Sequence, residues 1–154
     1  MRSTMPVTVN HTGITVYDLD RSEEMFRELF GFESFDRAPR DPAIISAVTG
    51  VPGAKVEIVY MRNGAQAIEL LCYSGPDDRK DFRPRPCDLG SLHLAFNVDD
   101  IDDIIARAAK WSLKLVGDVV VIDQGPNTGS RIAYLRNPDD GLILEAIQKA
   151  PARN

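Results

Sequence analysis

Cysteine and histidine are both scarce in this chain, with two of each among 154 residues. Cys72 and Cys87 cannot build a disulfide framework or a thiolate metal site, so both are expected to be plain reduced thiols. No apolar run approaches the ~20 residues that a membrane helix requires. Met1 to Pro6 lacks the charged stretch followed by an apolar one that marks a secretion signal. These absences predict a cytoplasmic protein without a membrane partner. Positive charge is also in deficit: the net charge of −5 disfavours a nucleic-acid surface. The strongest basic cluster, Arg79 to Arg85, is interrupted by aspartates and has only Phe82 for stacking, so it reads as a solvated loop.

What is present is a globular balance, 44% hydrophobic and 27% charged, in a length that suits one domain or two small modules sharing a core. An internal repeat favours the second arrangement. His11-Thr-Gly-Ile-Thr-Val-Tyr-Asp-Leu-Asp20 aligns with His93-Leu-Ala-Phe-Asn-Val-Asp-Asp-Ile-Asp102, matching the histidines, Val16 with Val98, and Asp18 with Asp100. Further on, Gln66-Ala-Ile-Glu-Leu-Leu aligns with Leu142-Ile-Leu-Glu-Ala-Ile, which sets Glu69 against Glu145. Each half therefore reads as a histidine strand, a helix, then strands ending in a glutamate strand.

In the first half, Asp20 with Glu23 forms a possible capping box ahead of the apolar stripe Met25, Phe26, Leu29 and Phe30, and Gly31 is the stop. In the second, Asp100 or Asp102 can cap a helix whose apolar face is Ile101, Ile104, Ile105 and Ala108. Strands are expected over Val7–Val16, Gly31–Arg37, Ala54–Met61, Ala67–Tyr73, Ser91–Val98, Lys114–Ile122, Arg131–Arg136 and Leu142–Gln148. Ile44–Val48 reads as one short helical turn. Gly75 to Gly90, rich in proline and charge, is a linker or surface loop. The domain plan is one βαβββ module over residues 1–75, a loop over 76–90 and a second module over 91–150, together one α+β domain.

Strand parity separates two faces. His11 shares a face with Gly13 and Thr15, opposite Ile14 and Val16. His93 shares one with Ala95 and Asn97, opposite Leu92, Leu94, Phe96 and Val98, the set expected to pack under the helices. Glu69 and Glu145 each sit inside an apolar run, a costly place for an unpaired carboxylate. A single strand histidine is more often structural than a ligand. Here, however, the only two histidines and two apolar-flanked glutamates occupy equivalent places in a repeat. That pattern points to one divalent cation held by His11, Glu69, His93 and Glu145. Imidazole and carboxylate together suit Zn, Ni, Co, Mn or Fe(II), and spacing does not separate these metals.

The segments around His11 and Glu69, with Gly90-Ser-Leu-His-Leu-Ala-Phe-Asn-Val-Asp-Asp100 and Tyr134-Leu-Arg-Asn-Pro-Asp-Asp-Gly-Leu-Ile-Leu-Glu145, resemble the vicinal-oxygen-chelate superfamily. That group includes glyoxalase I, methylmalonyl-CoA epimerase, extradiol dioxygenases, and fosfomycin and bleomycin resistance proteins. The resemblance covers nearly the whole chain. It implies paired βαβββ units whose curved mixed sheets surround a metal-lined cavity, and a homodimer acting on a small molecule.

The ligand order His, Glu, His, Glu is similar to that of glyoxalase I, and the epimerase differs mainly by a glutamine at the second place. The resemblance implies a lyase or isomerase that enolises a small oxygenated substrate, with Glu145, and in a lesser role Glu69, leaving the metal to act as base. Glu69 is followed by Leu70-Leu-Cys-Tyr73 where glyoxalase I has a Thr-His-Asn run associated with glutathione. No carboxylate lies in Ile44 to Gly53, where the epimerase carries a second proton-transfer group; Glu57 nearby reads as a solvated strand residue. An iron-dependent dioxygenase and a non-catalytic binding protein are the alternatives. Tyr60, Tyr73, Asn97, Arg131 and Tyr134 are softer candidates for the cavity, and Arg131 or the loop arginines could bind an anion.

Overall fold

The computed structural model describes residues 7–151; the segment read for a secretion signal, residues 1–6, lies outside the described residues. The chain divides into two compact units after Asp77. The first runs β1 (Thr12–Thr15), α1 (Leu19–Phe30), β2 (Glu33–Pro39), α2 (Pro42–Thr49), β3 (Lys55–Asn63) and β4 (Gln66–Gly75). Its sheet has the order β1-β4-β3-β2, with β1 parallel to β4 and the other neighbours antiparallel. The second runs β5 (His93–Asn97), α3 (Ile101–Ala108), β6 (Lys114–Leu115), β7 (Val120–Val121), β8 (Arg131–Arg136) and β9 (Ile143–Gln148). Its order is β5-β9-β8-β6, with β7 also on β8 and β5 parallel to β9. The α+β architecture expected from the repeat is present, βαβββ in each unit. Three embellishments were not expected, the third being a short 3-10 helix, Ala109–Trp111, that continues α3.

The first is α2, a full eight-residue helix where one turn was expected. The Asp41 side chain accepts from the Ala43 amide at 2.8 Å, Pro42 opens the helix, and Gly50 closes it at φ 68°. Cap, proline and glycine together extend an otherwise marginal turn. The second is a break in the strand expected over Lys114–Ile122. Val116 still donates to the Tyr134 carbonyl at 2.9 Å, but the chain then leaves the ladder through Gly117 and Asp118 and rejoins it at Val120. The outer strand thus holds two more residues than β8 between the pairs Leu115–Leu135 and Val120–Ile132, as a bulge does.

Helix α1 begins earlier than the expected Asp20 cap. Asp18 is the cap, its carboxylate accepting from the Arg21 amide at 3.0 Å. The earlier start seats Leu19 in the core. Glu23, freed from capping, accepts from Arg27, Ser34 and Arg37 instead. At the other end Gly31, at φ 66°, donates to Arg27 and Phe32 donates to Phe26, a paired closure that needs the left-handed conformation glycine adopts readily. Asp100, the repeat partner of Asp18, caps α3 by accepting from the amides of Asp102 and Asp103.

Met25 and Phe26 of α1 are buried with Val59, Met61 and Leu70 of the sheet beneath, and Phe26 packs on the rings of Phe30 and Phe32. Ile101 and Ala108 of α3 are buried with Leu135 and Leu144 of the second sheet. The covering is less complete in the second unit. Ile14 and Val16 flanking the first histidine strand are buried, whereas Leu94, Phe96 and Val98 are half-buried and Leu92 is exposed.

Candidate metal centre

The ladders place the candidate ligands in matching rows. In the first unit Gly13 pairs with Glu69 across β1–β4, and Glu69 pairs with Tyr60 across β4–β3. In the second, Ala95 pairs with Glu145 and Glu145 with Tyr134. Residues paired across a ladder project from the same face, so each glutamate lies between a small residue and a tyrosine. His11 and His93 come two residues before Gly13 and Ala95, on that same face. The small residue leaves room: a Cβ added at Gly13 would come within 3.4 Å of Glu69 Oε2.

Each histidine reaches its glutamate. His11 Nε2 lies 3.1 Å from Glu69 Oε2, and His93 Nε2 lies 3.1 Å from Glu145 Oε2. The glutamate side chains are 13% exposed in both units, against 30% and 44% for the histidines, so each carboxylate sits below an accessible imidazole. Two ligand atoms each about 2.1 Å from a shared cation lie about 3.0–3.4 Å apart. The pair distances therefore fit donors to a common ion, and the donor types, nitrogen and carboxylate oxygen, suit the divalent metals expected. Among the described residues no group of three or more His, Cys, Asp or Glu side chains is gathered to hold a metal; the candidates come as one pair per unit.

Of the softer candidates, Tyr60 and Tyr134 stand beside the pairs. The Tyr60 hydroxyl donates to Glu69 Oε1 at 2.6 Å, and its ring meets His11 edge-on at 5.4 Å. Its pKa is pushed up to about 12, first by that hydrogen bond, then by burial and the carboxylate charge. The Tyr134 ring lies 5.1 Å from His93, and its pKa is also raised, by burial and then by the Glu145 charge. Tyr73 and Asn97 share the glutamate and histidine faces, respectively.

Arg131 does not belong to the site. It projects from the helix-facing side of β8 and grips Asp102, so an anion-binding role there is set aside. Two loop arginines are likewise engaged within their own unit, Arg83 by the carbonyls of Pro138 and Asp139 and Arg85 by Asp88. Glu57 is not simply solvated: it accepts from Arg37 at 2.8 Å on the face opposite Glu69. Neither Cys72 nor Cys87 forms a disulfide among the described residues.

Sequence reasoning missed three residues. Asn10 Oδ1 lies 2.6 Å from His11 Nδ1. Arg62 and Arg136 follow the two tyrosines by two residues and so share their face. Arg62 stacks over Phe35, while Arg136 bonds the Pro84 carbonyl and keeps a buried Nε without a partner. The signal for the arginines was legible: Tyr60-Met-Arg-Asn63 repeats as Tyr134-Leu-Arg-Asn137.

A βαβββ unit used twice, with a His–Glu pair on the same face each time, defines the class. The chain belongs to the Glyoxalase/Bleomycin resistance protein/Dioxygenase superfamily, whose family model matches residues 8–146. It is 34% identical over 146 residues to a 2-epi-5-epi-valiolone epimerase from Actinomyces sp., covering 92% of this chain and 79% of that one. It is 24% identical over 143 residues to the mitochondrial methylmalonyl-CoA epimerase of Mus musculus, covering 92% and 72%. Among solved structures, a glyoxalase family protein from Bacillus cereus superposes with a TM-score of 0.83 at 29% identity, over 98% and 99% of the two chains.

Proposed function

We propose that this chain is a metal-dependent isomerase or lyase of the epimerase and glyoxalase type, which moves a proton beside a carbonyl of a small oxygenated substrate. One divalent cation would be held by His11, Glu69, His93 and Glu145. The observation that carries this reading is the repetition of one His–Glu pair, at the same separation and the same strand position, in both units. The epimerase relatives support the reaction class. Their names give different substrates, yet both describe inversion at a carbon centre, which proton removal from one face and return to the other accomplishes.

When bound, the cation supplies Lewis acidity that makes a proton beside a carbonyl easier to remove. The residues do the rest. Glu145 takes the proton, its carboxylate shielded from bulk water and so spared part of the solvent reorganisation. Inversion follows when water delivers a proton to the opposite face of the flattened carbon and Glu145 releases its own. His11 and His93 hold position through Nε2. The test is exchange in deuterated water. Metal-loaded protein is incubated with acyl-CoA thioesters, cyclic polyhydroxy ketones and hemithioacetals, and deuterium is sought by NMR at the carbon beside the carbonyl. Enzyme-dependent incorporation supports the reading; oxygen consumption with a catechol and no exchange would replace it with the dioxygenase reading.

A further inference from the structure

The two half-sites occupy equivalent places but differ in what braces them, and this asymmetry deepens the reading above, on which it rests. In the first unit both ligands are held from behind. Asn10 Oδ1 lies 2.6 Å from His11 Nδ1, an acceptor that favours the proton on Nδ1 and so leaves Nε2, the nitrogen nearer Glu69, to serve as the ligand atom when a cation is bound. The Tyr60 hydroxyl occupies Glu69 Oε1 at 2.6 Å, leaving Oε2 as the oxygen that faces His11.

The second unit lacks both braces. Leu92, with no polar side-chain atom, stands where Asn10 stands. Tyr134 pairs with Glu145 in the ladder as Tyr60 pairs with Glu69, yet among the described residues no hydrogen bond joins its hydroxyl to that carboxylate. The same residue type at the same register therefore does different work in the two halves.

We infer that Tyr60 and Asn10 are positioning residues that make the first unit the rigid, metal-holding half, with Glu69 bound through a single oxygen. Glu145, unbraced, is the carboxylate left able to swing. The physical reason is orientation: a carboxylate already fixed by a hydrogen bond loses little freedom on taking up a cation, whereas an unbraced one must be ordered each time. A freed Glu69 could instead chelate through both oxygens, changing the coordination number.

The experiment uses the full chain with Co(II) as the probe. Metal-free wild type, Tyr60→Phe, Tyr134→Phe and Asn10→Ala are titrated by calorimetry and by the visible absorption of bound Co(II), with melting of each metal-free form as the control for folding. Tyr60→Phe should weaken Co(II) binding by roughly tenfold to a hundredfold and shift the absorption bands. Asn10→Ala should weaken binding in the same direction, and Tyr134→Phe should leave affinity and spectrum unchanged. Equal losses in the two tyrosine variants, or an unchanged Tyr60→Phe, overturn the inference while leaving the metal reading intact. If Tyr60→Phe does not fold, the exposed Asn10→Ala decides, and unchanged binding there overturns it. A wild-type chain that takes up no Co(II) overturns the metal reading and this inference together.

Discussion

Arg131 holds Asp102 with both terminal guanidinium nitrogens, at 2.7 and 2.9 Å, tying β8 to the first turn of α3. The pair keeps the Asp102 carboxyl below its ordinary value of 3.8, chiefly through the Arg131 hydrogen bonds. A carboxyl whose folded pKa is depressed adds stability above its unfolded pKa and loses it as pH falls through the folded value. Wild type should thus be the more stable of wild type and Asp102→Asn at neutral pH, by a small and salt-sensitive margin typical of exposed pairs. That margin should shrink as pH falls below about 3.8. Urea midpoints of both proteins from pH 7 to pH 2.5 check it; a margin that grows in acid would contradict the ion pair.

The two glutamates should separate under conservative substitution. Glu145→Gln keeps an amide oxygen able to coordinate a cation but cannot accept a proton at neutral pH. It should retain much of the metal while losing most of the deuterium exchange. Glu69→Gln should be milder in exchange, and His11→Ala and His93→Ala should lose metal and exchange together. Metal stoichiometry measured beside exchange for the four variants decides the matter. Full activity in Glu145→Gln with none in Glu69→Gln would reverse the assignment of the base.

Cys87 is exposed, Cys72 is half-buried on β4 with its thiol toward the Tyr17 carbonyl, and neither lies on the row that holds Glu69. A thiolate mechanism needs a partner that lowers the thiol pKa. The double variant Cys72→Ser, Cys87→Ser should keep its exchange rate. A large loss of exchange in a protein that still melts cooperatively would reveal a thiol role.

The helix caps give a check on the fold that is independent of chemistry. Asp18→Ala and Asp100→Ala each remove a carboxylate that accepts from the first-turn amides, and each should cost about 1 kcal/mol. Asp20→Ala removes only an exposed partner of Arg37 and should cost less, within about 0–1 kcal/mol. Chemical denaturation of the three variants orders them. A larger effect at Asp20 than at Asp18 would return the cap to where the sequence pattern first put it.

Those caps illustrate what could and could not be read from the chain. The repeat aligns Asp18 with Asp100 and Asp20 with Asp102 alike, so it left both pairs open as caps, and only the helix starts decide for Asp18 and Asp100. Hydrophobic periodicity located α1, α3 and most strands because burial of Met25, Phe26, Ile101 and Ile104 decides them. It failed at Gly117 and Asp118, where the flanking valines read as one strand and only the pairing partner β8 reveals two extra residues. At the site, the repeat marked the two histidines and the two glutamates as equivalent, and parity put each histidine with its small neighbour Gly13 or Ala95; only the ladder registers show that these neighbours pair with Glu69 and Glu145. Arg131 shows the limit of the same reasoning: its partner lies on α3, far away in sequence, and no local pattern names it. The hydrogen bond from Tyr60 likewise depends on the side chain's rotamer, which sequence does not carry.

The interrupted outer strands have a consequence beyond catalysis. β2 slips register between Ser34 and Asp36, and the β6–β7 border of the other sheet is broken at Gly117 and Asp118. A straight border strand would present a continuous row of amides and carbonyls for a neighbouring chain to copy, the route by which sheets grow into aggregates. A bulge twists that row and leaves a mismatch which an in-register intruder cannot satisfy. Straightening either border, for instance by deleting Gly117 and Asp118, would trade a local irregularity for a surface on which crowded or newly made copies of the chain could template one another.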